Sequence, residues 1–545
     1  MRYLFRFLRT VRYLRFIQIV NKIKRMIFQP RLINLEACLD FRLSNRSPAA
    51  FSSTNPKSIL GENNFRFLNV ENKLEFPGGW NRLDIPLLWM YNLHYHAGLL
   101  NNGTSDDLKR KFVMNWILDN SASPGIGWQP YPLSLRIVNW IKWIWTEKSE
   151  VPEEVYASLF QQTKYLFKTL EYHLLGNHLL ENAKALVFAG YFYEGPEAEA
   201  WLTKGLSILE VELQEQILDD GGHFELSPMY HSLILDLVLD ILQLANTSKA
   251  NTALADQLKN LSDIASKMSK WLATMCHPDG EISFFNDAAI GISQPPEDLL
   301  DRSFQQVAID SPLSLDGVTH LDSSGYVRLA NSNAVVFLDV ADVGASYLPG
   351  HGHADALALE FSLFKQRLFV NTGTSEYGNG TRRHYERSTA AHSTVEIEGQ
   401  NSSEIWSGFR VGRRSQVKNV TFFDSCSVSA EHDGYRYIAG SPVHRRTVSL
   451  GDKAFIVEDN VDSCDINYLA RFHLHPDIEI LLFDSKNSGY FIFPDGVKVT
   501  WKSECDDVSI EANYYAEGFG KLSPMKTLAL HRKLSGKTKL VVNWP

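Results

Sequence analysis

From about residue 80 to 275, apolar side chains recur at every third or fourth position. LKRKFVMNWILDN, PLSLRIVNWIKWIWTEK, EVYASLFQQTKYLFKTLEYHLL, LENAKALVFAGYFY, AEAWLTKGLSILEVELQEQIL, SLILDLVLDILQLANT and ADQLKNLSDIASKMSKWLATMC all follow it, separated by short Gly, Pro or polar breaks. Each segment predicts a helix, and the short links predict antiparallel hairpins. A bundle, a solenoid and a closed α/α toroid all satisfy that pattern. From about residue 318 the period changes. GYVRLAN, NAVVFLDVA, ALALEFSLF, QRLFVNTG, STVEIEG, KNVTFFDS, HRRTVSLG, KAFIVEDNV, YLARFHLH, GYFIFPDGVKVTW and TKLVVNW alternate apolar and polar residues between turn signals, which predicts a large antiparallel β-sandwich. The chain thus divides into a basic helix and irregular segment (1–75), a helical domain (76–310) and a β domain (311–545). The linker falls near 290–317, around GISQPPEDLLDRS and a Ser/Pro/Asp-rich stretch. A length of 545 residues suits two or three such domains.

Charge changes this picture at the N-terminus. MRYLFRFLRTVRYLRFIQIVNKIKRMIFQP is basic throughout, and the first acid is Glu36. Arg2, Arg6, Arg9, Arg12 and Arg15 recur on one side of a helix. Charges interrupt every candidate apolar core of a leader, so no cleavable signal peptide is expected. Two placements fit residues 1–28: peripheral contact with an anionic membrane surface, or a helix docked on the protein body. No stretch of about 18 uninterrupted apolar residues occurs, so no transmembrane helix is expected. Cytoplasmic, membrane-associated and periplasmic locations all stay open. The net charge of −9 argues against a general nucleic-acid binder, although an acidic protein can still carry a basic cleft. Cys38, Cys276, Cys426, Cys464 and Cys505 are scattered, an odd set that predicts reduced thiols rather than a disulfide framework.

Three clusters carry candidate chemistry. In GNHLLEN, Gly176 precedes a helix that places His178 and Glu181 on one face beside Asn177; a plain helix cap gives the same pattern. In DDGGHFELSPMYH, a glycine pair and Pro228 set ionisable groups and Tyr230 on a loop before a helix, as an ordinary interhelical turn also would. In PGHGHAD, His351 and His353 lie between strands, and with His392 of AHSTV they offer imidazoles for a metal. Arg136, Arg382, Arg383, Arg387 and Arg410 are cations for an acidic ligand, and Trp89, Tyr91, His94, Tyr95, Trp128 and Tyr131 are rings for a sugar face. Arg136, Trp128, Tyr131, His94 and Arg387 are the candidate substrate contacts.

Taken together, LW.YNLHYH, GW.PYPLSLRIVNW, GNHLLENAKAL, DGGHFELSPMYH, PGHGHADAL, NTGTSEY and ERSTAAHSTV resemble the heparinase II/III family of polysaccharide lyases, related to alginate lyases. The resemblance implies an α+β multidomain fold, an N-terminal (α/α) toroid followed by a C-terminal antiparallel β-sandwich, with the cleft between them. It implies a helical N-terminal portion typical of a bacterial branch found with surface-polysaccharide genes. It also implies β-elimination on a uronic-acid-containing acidic glycan. Asn177 and His178, with Glu181 nearby, fall where the substrate carboxylate is neutralised; Tyr230 falls on the catalytic tyrosine and His351 on a catalytic histidine. His353 and His392 fall on the ligands of a structural Zn2+, and Asn371 stands where the third, acidic ligand is expected. A neutral amide is the poorer zinc ligand.

Those residue types suit elimination. Abstracting the proton at C5 of a uronate pushes charge onto its carboxylate, which amide, imidazole or guanidinium donors stabilise. Tyrosine protonates the leaving O4 and, with its pKa lowered from about 10 by positive neighbours, also serves as base. Tyr230 is the expected acid, and the base for one C5 epimer; His351 is the base for the other. No organic cofactor is required. Two rivals remain: a non-catalytic binding or assembly factor for acidic surface glycans, and a glycoside hydrolase using two of Asp219, Asp220, Glu225, Asp279 and Glu281.

Overall fold

The computed structural model describes residues 2–28, 30, 38, 40–44, 51, 57–120, 125–247, 254, 256–307, 316–463 and 465–545. Its helices are α1 (Arg2–Val11), α2 (Phe16–Ile27), α3 (Leu87–Tyr95), α4 (Asp106–Asn120), α5 (Pro130–Thr146), α6 (Glu153–Thr169), α7 (Gly176–Phe192), α8 (Pro196–Gln216), α9 (Pro228–Thr247), α10 (Leu258–Met275), α11 (Pro296–Gln306) and the short α12 (Thr381–Glu386). Alternate helices face one central cavity. Tyr131, Leu135, Val138 and Lys142 of α5, Asn177, Glu181 and Lys184 of α7, and Tyr230, Leu233 and Asp236 of α9 line it at three- and four-residue spacing. With α3, these form the inner ring of an α/α toroid; α4, α6, α8 and α10 follow them in the chain as its outer partners. The inner helices are therefore covered nearly all round, and in α7 only His178 escapes full burial. Among the described residues, α9 alone has the length and hydropathy of a membrane span, but 83% of its apolar window is buried among its neighbours, as in a core helix.

Burial also brings charge inside. Asp240 on α9 accepts from Lys142 of α5, Lys184 of α7 (2.7 Å) and Arg302 of α11 (3.0 Å). One carboxylate thus ties four helices where an unpaired charge could not be tolerated.

Two large antiparallel sheets make up most of the β domain. The first runs Asp507–Gly518, Lys521–Arg532, Tyr468–Leu474, Gln366–Val370, Leu359–Leu363, Ala334–Asp339, Tyr326–Ala330, Gly317–Leu321. The second runs Val417–Asp424, Ser427–His432, Val443–Leu450, Ala454–Asp462, Gly536–Asn543, Lys498–Glu504, Ser488–Ile492, Glu479–Leu482. Their facing side chains make one core, with the Phe361 and Phe455 rings stacked 4.3 Å apart. On Ala454–Asp462 buried positions alternate, whereas every residue of Ala334–Asp339 and Leu359–Leu363 is buried. The reason is a second packing face: Val335, Phe337 and Tyr326 meet Trp271, Met275 and Leu226 of the helical domain in a separate apolar seam. The first sheet lies between the second sheet and the toroid.

Three local expectations change. The predicted single N-terminal helix is two, because Arg15 starts a new one: its N–H donates to Gln18 Oε1 (2.9 Å) in a capping arrangement. The helix predicted through EYHLL ends at Thr169, where Asn182 Oδ1 instead captures the Glu171 N–H (2.8 Å). The last helix of the toroid ends at Gln306 and the first strand of the β domain begins at Gly317; residues 308–315 of the expected linker, and Cys464, lie outside the described residues. Cys38, Cys276, Cys426 and Cys505 are free thiols.

Candidate active site

The start of α7 is shaped by backbone that favours glycine. Leu175 and Gly176 both have left-handed φ (64° and 59°), and a Cβ on Gly176 would meet Leu348 at 2.2 Å. This turn aims Asn177 and His178 into the cavity. Asn177 Nδ2 and N–H both donate to Glu225 Oε1 (2.9 and 3.2 Å). His178 stacks its ring 4.4 Å from Tyr131 and pairs through Nδ1 with Glu171 Oε2 (3.2 Å). Burial pushes the His178 pKa down, but Glu171 chiefly, with Glu225 and Glu181, reverses this, so the pKa is raised above the ordinary histidine value. Glu181, one turn on, is buried with Oε2 lacking a hydrogen bond; burial raises its pKa against the opposing pull of Lys184.

Tyr230 is delivered by the start of α9. Ser227 caps that helix, its Oγ accepting from the Tyr230 N–H (3.2 Å) while donating to the carbonyl of Asp287. The Tyr230 hydroxyl lies 3.0 Å from that of Tyr377. Burial, then Tyr377 and Asp287, raise the Tyr230 pKa well above 10. In this state the residue is a proton donor.

From the β domain, His351 lays its ring 3.8 Å from that of Tyr230, centroid to centroid. His351 Nδ1 meets Asp287 Oδ2 (2.8 Å), and Nε2 lies 3.3 Å from Glu225 Oε2. Asp287 is buried, yet it stays ionised: against the burial cost, Arg383 forms a two-pronged ion pair with it, and His351 and His353 add hydrogen bonds. The ionised Asp287 accepts a hydrogen bond from the Nδ1–H of His351, which fixes the ring with Nε2 as its second nitrogen, toward Glu225. Asn177, His178, Glu181, Tyr131, Tyr230 and His351 all line the same open cavity of about 1550 Å3. Pockets for small ligands are about 300–1,000 Å3, so this one has room for several sugar rings.

Four of the expected substrate contacts need correction, because each is buried by partners inside the protein. Arg136 donates to Gln162, the His94 carbonyl and the Gly127 carbonyl, with its guanidinium over Trp116. His94 bridges the Trp80 carbonyl and the Trp116 indole. Trp128 donates to the Asn120 carbonyl from within the core. Arg387 holds the Gly352 and Ser407 carbonyls. Tyr131 does line the cleft, together with Tyr91, Tyr95, Phe409, Arg410, Arg414 and Tyr377. None of Asp219, Asp220, Glu225, Asp279 and Glu281 is among the residues lining the cavity: Asp220 is spent on Ser324, Asp279 on Arg367 and Glu225 on Asn177.

Asn371 is also corrected as a metal ligand. Its Oδ1 accepts from the Ser393 N–H (3.0 Å) and its Nδ2 donates to the Phe284 carbonyl (3.0 Å), so the amide is held by the backbone, and Asp355 is the residue grouped with the two imidazoles. Beside it, His353 Nδ1 and His392 Nε2 lie 3.2 Å apart, and the buried Asp355 brings a carboxylate within 4.8 Å of both. His353 Nε2 is oriented by Asp287 (2.8 Å), the arrangement that supports a metal-bound imidazole. Two imidazoles and a carboxylate fit zinc.

Neither Asp287, Tyr377 nor Glu225 in its role beside Asn177 was expected from sequence. Asp287 lies in FFNDAAI, between periodic elements, with no neighbouring polar cluster to mark it.

An α/α toroid set on an antiparallel sandwich, with a tyrosine from one and a histidine from the other in contact, defines a known class of fold. The crystal structure of heparinase III matches with a TM-score of 0.70 at 18% identity, over 87% of this chain and 81% of that one. The chain belongs to the heparinase II/III family: the heparinase II/III N-terminus matches residues 120–306 and the heparinase II/III-like C-terminal region residues 315–543. A heparin-sulfate lyase of Bacteroides stercoris is 25% identical over 378 residues, 64% of this chain and 54% of that protein. FtsZ-localized protein C of Caulobacter vibrioides is 24% identical over 385 residues, 64% of this chain and 63% of that protein. The match thus spans about half to three-fifths of these relatives' length.

Proposed function

We propose that this protein is a polysaccharide lyase that cleaves a uronic-acid-containing acidic glycan by β-elimination. The observation that carries the reading is the 3.8 Å contact between Tyr230 and His351, from different domains, on the wall of one cleft. Asn177 and cationic His178 bind the uronate carboxylate and stabilise the charge that develops on it. His351 Nε2, oriented by Asp287, removes the C5 proton. The electron pair forms the C4–C5 double bond, the C4–O4 bond breaks, and the Tyr230 hydroxyl protonates O4. The raised Tyr230 pKa supports the acid role rather than the base role. The step moves a proton and an electron pair with no net redox change, so no organic cofactor enters.

The test is ultraviolet absorbance of the unsaturated uronate on incubation with heparan sulfate, alginate, hyaluronan and bacterial capsules. Activity is expected on at least one, and Tyr230→Phe is expected to remove it. A fully active Tyr230→Phe enzyme contradicts the role. A second reading is an acidic-glycan binding or assembly factor, since a relative of similar identity is named for its localisation to FtsZ and not for a lyase activity. Glycan binding with no product in any case would favour it.

We further propose that one structural zinc is held by His353, His392 and Asp355, clamping the loop after His351 to the segment before Val395. Elemental analysis of purified protein is expected to find one zinc per chain, lost in His392→Ala. Metal-free wild-type protein with an unchanged unfolding midpoint would reject it.

A further inference from the structure

Helix α2 is built inside out for a helix in water. Its polar side faces the protein: Gln18 Nε2 reaches the Leu174 carbonyl (3.3 Å), and Arg25 approaches His173 (3.5 Å). Its apolar side faces outwards. Phe16, Ile19, Val20, Ile23, Met26 and Ile27 form one stripe at helical spacing, with Phe16, Met26 and Ile27 exposed by 81%, 75% and 80%. A surface helix ordinarily turns the apolar stripe to the core. Helix α1 continues the feature with exposed Leu4, Phe5 and Leu8.

The pair is held in place by ion pairs to both domains. Arg9 binds Glu404 of the β domain (2.7 Å), and Arg15 binds Glu215 of the toroid through Nη1 (2.8 Å) with its guanidinium 3.7 Å over Tyr347. The outward face is therefore a fixed surface of the molecule, and Phe7, Val11 and Leu14 on its inner side line the cleft.

We propose that this stripe docks on an anionic lipid bilayer, lying in the interface plane. The charge argues for that occupant. Residues 1–35 hold nine arginines and lysines and no acid, in a chain of net charge −9. Exposed Lys22, Lys24 and Arg12 flank the apolar stripe, the arrangement that lets apolar side chains enter the acyl boundary while cations meet lipid phosphates. Pairing with a second copy would bring those same cations face to face, which opposes self-association through this surface. Neither helix can span a bilayer: α2 has 12 residues and three cations. The bilayer would lie beside the cleft mouth, where the glycan enters.

The test uses the full chain and needs no glycan, so it stands apart from the lyase reading. Flotation is measured with phosphatidylcholine vesicles, with and without phosphatidylglycerol, alongside light scattering for oligomeric state. Binding only to phosphatidylglycerol vesicles, weakened by salt, is expected. Ile23→Glu is expected to abolish it, and Lys24→Glu to weaken it by about ten-fold or more. Both positions are exposed, and circular dichroism checks that each variant is folded. Absence of vesicle binding by the wild-type monomer overturns the proposal. So does a dimer, broken by Ile23→Glu, that binds no vesicles.

Discussion

In the proposed mechanism His178 binds the uronate carboxylate as a cation, and Glu171 favours that charged form. Burial alone would drive its pKa down; Glu171 chiefly reverses the sign. A histidine whose folded pKa is raised contributes stability fully present below its unfolded value of about 6.5, lost as pH rises through the folded value. Its role in substrate binding fades over the same window. Glu171→Gln removes the main raising influence, so the alkaline limb of kcat/KM is expected to move to lower pH. A shift of one unit costs about ten-fold in rate at pH above both values. A pH–rate profile identical to wild type would contradict this pairing. At this scale the sequence was informative where a polar cluster interrupts an apolar period, as at Asn177, His178, Tyr230 and His351. It misled at Arg136, His94 and Arg387, because a charged or polar letter suggests exposure. These three instead satisfy backbone carbonyls or ring donors deep in the fold. Asp355 was in view beside His353, but family spacing directed attention to Asn371, whose amide bonds backbone groups at both ends.

Among the elements, the inner helices were legible from their period, and their order around the cavity was not. Ion pairs across 98 and 62 residues, Lys142–Asp240 and Arg302–Asp240, set the neighbours of α9 and leave no local mark. Removing one partner of such a buried cluster leaves uncompensated charge, at a cost of about 3–5 kcal/mol. Asp240→Asn is expected to lower the unfolding midpoint by a corresponding amount, measured by denaturant melting. An unchanged midpoint would show that the cluster does not hold the ring. Ala454–Asp462 shows the alternation its sequence predicts, whereas AVVFLD, also predicted as a strand, is buried on both faces, and its second dry face was not legible. Alternation reports one dry face, and this strand has two. The break between α1 and α2 was hidden for a similar reason, since basic residues continue through it without a change of period.

At the scale of the whole molecule, the proposed mechanism needs two domains to meet at a fixed distance. The apolar seam of Trp271, Phe285, Tyr326 and Phe337 holds them, and buried rings of this size are each worth about 1.5–3 kcal/mol. Leu226, at the seam, lies one residue from both Glu225, which holds Asn177, and Ser227, which caps the Tyr230 helix. The joint and the chemistry are therefore one structure, and His351 arrives against Tyr230 because the sheet is seated on the toroid. The most direct measurement is mass spectrometry of the oligosaccharides released in heavy-oxygen water from a glycan this protein cleaves. Elimination adds nothing from solvent: the new non-reducing end is unsaturated and no heavy oxygen is incorporated during cleavage, once slow exchange at reducing ends is subtracted with an unlabelled-digest control. One heavy oxygen retained per cleavage, on fully saturated products, would contradict the account.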